Sequence, residues 1–136
     1  MSLEPIEPEA ALELFLKDKE AELADASIKG HDYRLRHFVR WCHEQGIENL
    51  NTLTGRQLHE YRLWRRNSGD LTKASEKTQM DTLRVFVKWL ESIDAVEQDL
   101  YKKVRSPDLT PGENSRDVML ETDDAEAMLA YLERYE

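Results

Sequence analysis

Two stretches of this chain begin like the helix of a zinc protease, His43-Glu44 and His59-Glu60. In that motif a second histidine one turn later completes a metal site, and the glutamate serves as general base. The positions that would carry it hold Ile47 and Leu63, so neither motif closes. The histidines otherwise lack the helical spacing that brings two imidazoles onto one metal. The five glycines are isolated, which excludes a glycine-rich phosphate loop. Asp123-Asp124 suits a helix N-terminus better than an acid/base pair. No active site is expected in this sequence.

The basic residues are more orderly. At about 100° per residue, Lys29, Tyr33, Arg36 and Arg40 fall within roughly 60° of one another on a helix. Lys73, Lys77, Arg84 and Lys88 repeat the arrangement further on, interrupted by Asp81, with Ser75 and Thr78 nearby as hydroxyl donors. Such stripes suit phosphate contacts, since guanidinium and ammonium groups neutralise a polyanion along a line. A solvated helix face looks similar, so the stripes mark candidates and not a proven site. Neither lies on a core stripe, so reversing Arg84 and Lys88 to glutamate is expected to spare the fold.

The elements that carry these residues are helices. Pro8 begins a helix with Ala11, Leu12, Phe15, Leu16 and Leu23 on one face, ending near Asp25. Ser27 is expected to cap a second helix to Gln45, with core positions Ile28, Leu35, Phe38, Val39 and Cys42 and Gly46 in the left-handed terminal position. Thr54 and Gln57 form a capping box, stapled by Leu53 and Leu58, and start a third helix that stops before Gly69. Thr72 or Ser75 caps a fourth through Leu83, Phe86, Val87 and Leu90 to near Ile93, and Leu100–Val104 makes a short fifth. No segment alternates like a strand. Two prolines and a glycine between Ser106 and Asn114 mark a linker, after which Thr122 caps a last helix that is still running at Glu136. An end without a C-terminal cap is expected of a piece of a longer protein.

One internal echo joins the two basic helices: Leu35-Arg36-His37-Phe38-Val39-Arg40-Trp41-Cys42 matches Leu83-Arg84-Val85-Phe86-Val87-Lys88-Trp89-Leu90 at five of eight positions. The tryptophans are expected to lie outside the core stripe, so packing alone would not require them twice. Two helical hairpins presenting matching cationic edges follow from this.

Composition bounds the rest. With 136 residues, 40% hydrophobic, the chain supports one ordinary core. A lone cysteine, Cys42, points to a reducing compartment, and no apolar run approaches the ~18 residues of a membrane helix. The start of the chain lacks the basic flank of a signal peptide, so a cytoplasmic protein with no membrane partner is expected. The net charge of −9 argues at first sight against a nucleic-acid partner. The acidity is at the ends, however. Residues 1–25 carry 2 basic and 8 acidic groups, 26–105 carry 15 and 11, and 106–136 carry 2 and 9. Such an excess of carboxylates also suits a salt-rich cytoplasm.

The order and spacing of these segments resemble a known family. Pro8 to Leu16, Ser27-Ile28 with Tyr33 and Phe38, then Leu53-Thr54, are similar to the opening of the core-binding domain of tyrosine recombinases of the phage-integrase family. Thr78 to Leu90 resembles that domain's last long helix, and Val118 to Thr122 the entrance to the catalytic domain. Where the family commonly has Asn-Pro before its exit helix, this chain has Asp99-Leu100. The resemblance implies an all-α, SAM-like bundle of four to five helices over residues 1–106, a linker over 107–117, and the start of a catalytic domain with one extra helix over 118–136. It implies a domain that clasps duplex DNA inside a site-specific recombinase acting as a homo-oligomer on DNA. The catalytic arginines, histidine-type residues and nucleophilic tyrosine would lie beyond residue 136, making this portion a binder without catalytic residues, cofactor, metal or small-molecule ligand. The DNA contacts would come from Lys29, Tyr33, Arg36, Arg40, Lys73, Ser75, Lys77, Thr78, Arg84 and Lys88. The rival expectation is an acidic helical adaptor that docks a protein through grooves lined by Trp41, Trp64 and Trp89.

Overall fold

The computed structural model describes residues 3–69 and 71–107. Within them four helices follow one another: α1 (Pro8–Lys19), α2 (Asp25–Glu44), α3 (Gly55–Gly69) and α4 (Lys73–Ser92). Two single 3-10 turns complete the set, Leu50–Thr52 before α3 and an exit turn, Leu100–Lys103, after α4. Among the described residues there is no strand. The expected linker and last helix lie, from residue 108 onward, outside the described residues. The described residues divide into two units, the first made of residues 3–69 with Thr78–Arg105 and the second holding Leu71–Lys77.

Local chemistry sets the boundaries. The capping box forms as its residues require: the Thr54 amide donates to Gln57 Oε1 at 3.0 Å, and the Gln57 amide to Thr54 Oγ1 at 3.2 Å. Thr72 takes the same role for α4, its Oγ1 accepting from the Ser75 amide at 3.1 Å. The expected cap at Ser27 is corrected: Ala24 holds the cap position, and the Ser27 amide already bonds to Ala24 O at 3.0 Å. Asp25 replaces a capping side chain with a carboxylate in the first turn, where the helix dipole favours it. α1 also ends earlier than its apolar spacing suggests, at Lys19.

The first unit holds one core in which each helix contributes a ring. Phe15 of α1 meets Phe86 of α4 edge-on at 5.2 Å, Phe86 meets Phe38 of α2 at 6.3 Å, and Phe38 meets Tyr61 of α3 at 5.2 Å. Edge-to-face geometry adds roughly 0.5–1.5 kcal/mol per pair beyond area burial. Truncating one ring, Phe86→Ala, removes about 3–5 kcal/mol of a total of ~5–15. Leu50, Leu53, Ala95, Val96, Leu100 and Val104 extend the core into the connections. The tryptophan expectation is corrected for Trp41, which is 2% exposed and packs on Tyr61 at 5.5 Å. Trp89 is half-buried against Phe15 and Phe86, and its Nε1 donates to Asp18 Oδ2 at 3.1 Å.

The internal echo extends to the backbone. α2 and α4 are each 20 residues long. Both end on a left-handed residue, Gly46 at φ 72° and Asp94 at φ 60°. In both, the next amide bonds back to the helix: Ile47 to Cys42 O and Ala95 to Leu90 O, each at 2.9 Å. These are the bonds of a Schellman ending.

Candidate functional site

The exposed edge of α2 gathers four of the expected residues. Lys29, Tyr33, Arg36 and Arg40 line one open concavity of about 470 Å³, joined by Asp32 and His37. Its floor is fixed because Leu35, Phe38, Val39 and Cys42 on the opposite face are buried. Tyr33 is 64% exposed, and its ring stands perpendicular to His37, with centroids 5.1 Å apart. Arg36 Nε donates to Asp32 Oδ1 at 2.8 Å, and its Nη1 lies 3.9 Å from Glu9 Oε2. Arg40 Nε lies 3.7 Å from Glu44 Oε2, while its guanidinium covers the Trp64 ring at 5.1 Å. These ion pairs are exposed, so each contributes at most about 1 kcal/mol and is readily exchanged.

His37 is the polar group in this edge that helical spacing of cations could not single out. Its Nε2 is buried with no hydrogen-bond partner among the described residues. Burial, then the charges of Arg65 and Arg40, hold its pKa below the ordinary 6.5. The edge is thus cationic through its lysine and arginines while its imidazole stays neutral at pH 7.

The α4 residues are placed differently. Arg84 Nη2 donates to the Val104 carbonyl at 2.9 Å and so ties α4 to the end of the exit turn. Lys88 Nζ lies 5.4 Å above the Tyr101 ring. Both side chains remain exposed, as does Thr78. The bond to Val104 gives Arg84 a structural role that helical period does not reveal, so its reversal would cost some stability. Lys73, Ser75 and Lys77 belong to the second unit, where Lys73 and Ser75 are exposed and Lys77 is half-buried.

Asp99 adopts φ 65°, and its amide donates to Glu91 Oε1 at 3.0 Å. A short polar residue tolerates this left-handed geometry better than most. No group of three or more histidine, cysteine or acidic side chains is placed to hold a metal among the described residues. No helix among them is long and apolar enough to cross a membrane.

Comparison with known families matches residues 12–93 to the phage integrase N-terminal SAM-like domain. The chain belongs to this family. The SAM-like assignment agrees with the four-helix order, and the matched span runs from the core residue Leu12 to the end of α4. The fold is similar to a crystal structure of the N-terminal domain of a phage integrase/site-specific recombinase from Haloarcula marismortui, with a TM-score of 0.73 and 38% identity. The alignment covers 76% of this chain and 99% of that one. Comparison with curated proteins gives no match. This SAM-like domain is therefore an N-terminal domain of the phage-integrase and site-specific-recombinase type.

Proposed function

We propose that this domain binds duplex DNA as the clasping portion of a cytoplasmic site-specific recombinase that works as a homo-oligomer on its DNA. The observation that carries the reading is the α2 edge: Lys29, Tyr33, Arg36 and Arg40 all stay exposed and share one concavity. Phosphates can replace Asp32, Glu9 and Glu44 as partners of the two arginines, with counterion release as the driving force. Tyr33 adds a hydroxyl and a ring at the same edge. Lys73, Ser75, Lys77, Thr78, Arg84 and Lys88 on α4 are the second set of contacts. In this reading residues 1–106 form the binding domain, 107–117 the linker and 118–136 the start of the catalytic domain, and the binding domain contributes contacts to DNA and not strand cleavage.

The adaptor reading has less to support it, since of its three tryptophans Trp41 is lost to the core and Trp64, stacked on Tyr61 under the Arg40 guanidinium, is half-buried. Trp89 is bonded to Asp18 and packed on Phe15 and Phe86.

The test is the fluorescence anisotropy of a labelled duplex over a range of salt, for the unaltered chain and for Arg36→Glu with Arg40→Glu. Affinity should fall with salt, and the double reversal should weaken binding by at least about tenfold at ~0.1 M salt while shifting the salt slope by about two. Unchanged affinity in the double variant would remove the α2 edge from the interface.

A further inference from the structure

A second group of cations comes together from segments far apart in sequence. Arg56, His59 and Arg62 at the start of α3, with Lys102, Lys103 and Arg105 at the exit turn, line an open concavity of about 680 Å³. Among the described residues that line it there is no carboxylate. Glu60 and Asp99 approach Arg56 at 3.6 Å and Lys102 at 3.5 Å from outside the lining, in exposed pairs that contribute little.

The fold builds this convergence deliberately in two places. Gly55 opens α3 without a side chain, and a Cβ there would lie 2.6 Å from Lys103 Cδ, so the lysine stem crosses the helix start only because the position is glycine. Leu100 and Val104, 1% and 2% exposed, seat the exit turn in the core, and the Arg84 bond to the Val104 carbonyl holds it from α4. Like charges held together repel, and an anion relieves that repulsion. The start of α3 adds the positive end of the helix dipole, although its capping box already occupies the Gln57 amide.

We propose that this concavity is a second phosphodiester site, one that grips the sugar-phosphate backbone of the duplex held by the α2 edge. It rests on the DNA reading above. A single phosphate group carries at most about two negative charges. The concavity presents five permanent cations and an imidazole, which matches successive phosphates of a strand rather than one small anion.

The test uses the whole chain and a labelled duplex, with Lys102→Gln and Arg105→Gln combined. Both residues are exposed and outside the core, so the fold should persist, with a thermal midpoint unchanged or raised as the cluster's repulsion eases. Each lost phosphate contact lowers the salt slope by about 0.9, so the pair should lower it by about 1.8 and the affinity at ~0.1 M salt by at least tenfold. If this variant binds as the unaltered chain does while Arg36→Glu with Arg40→Glu does not, the second site is refuted and the α2 edge stands. If the converse is found, the α3 and exit-turn site stands and the α2 edge fails. Absence of duplex binding by the unaltered chain at every salt concentration overturns both.

Discussion

Arg34 Nε donates to Thr82 Oγ1 at 2.7 Å, and the two residues, 48 apart, occupy equivalent positions of the repeated helices α2 and α4. Phe38 and Phe86, in ring contact, are the equivalent pair one turn along. The two helices thus meet through matched positions, which places the repeat at the centre of the bundle and not merely in its sequence.

Thr82 is buried and Arg34 half-buried, so Thr82→Val should cost about 1 kcal/mol, less than a fully buried charged hydrogen bond. Gly30 couples to this pair, because a Cβ there would stand 3.0 Å from Arg34 Nη2. Gly30→Ala gains roughly 1 kcal/mol of helix propensity but must displace an arginine held by Thr82. Chemical denaturation of the two single variants and the double should show Gly30→Ala near neutral alone and stabilising in the Thr82→Val background. Strict additivity would show that the Arg34 bond does not restrain that side chain.

The equivalent helix ends give opposite expectations. Gly46 at φ 72° should tolerate alanine poorly, at a cost of about 1–2 kcal/mol. Asp94 at φ 60° should gain about 0.5–1 kcal/mol as Asp94→Gly. Thermal midpoints that move the same way in both variants would contradict the shared ending.

His31 and His37 both sit below their ordinary pKa of 6.5, chiefly through burial, then through Arg34 and Lys19 for His31 and Arg65 and Arg40 for His37. The unfolded chain therefore binds more protons than the folded one as pH drops past 6.5. Their stabilising contribution is complete above that value and is lost as pH falls through the folded pKa values. Denaturation midpoints between about pH 7.5 and pH 5 should decline for the native sequence and flatten in His31→Asn with His37→Asn. An equally steep decline in the double variant would assign the effect to other groups.

Arg84→Gln should lower the unfolding free energy by about 1 kcal/mol with no DNA present, since it leaves the Val104 carbonyl without its donor. Lys88→Gln gives up only an exposed cation–ring contact worth about 0.5 kcal/mol. Stability measured without DNA separates this structural role from any phosphate contact, and equal midpoints for the two variants would count against it.

Features whose bonding partners lie within one turn were legible in the amino-acid sequence alone. The Thr54 and Gln57 capping box, the left-handed Gly46, the four helices and the α2 cationic edge all follow from interactions between residues up to five apart or from helical period. The start of α2 was not, because Ala24 caps it without a side chain and leaves no signal to compete with Ser27. Tertiary structure decided whatever depends on which face meets which neighbour. Trp41 is core because Tyr61 of α3 lies against it, and Arg84 is partly structural because the exit turn brings the Val104 carbonyl to it. The same holds for Arg56, Lys102 and Arg105: helical period relates residues on one element, whereas their convergence depends on Leu100 and Val104 being drawn into a core that forms only when all four helices pack.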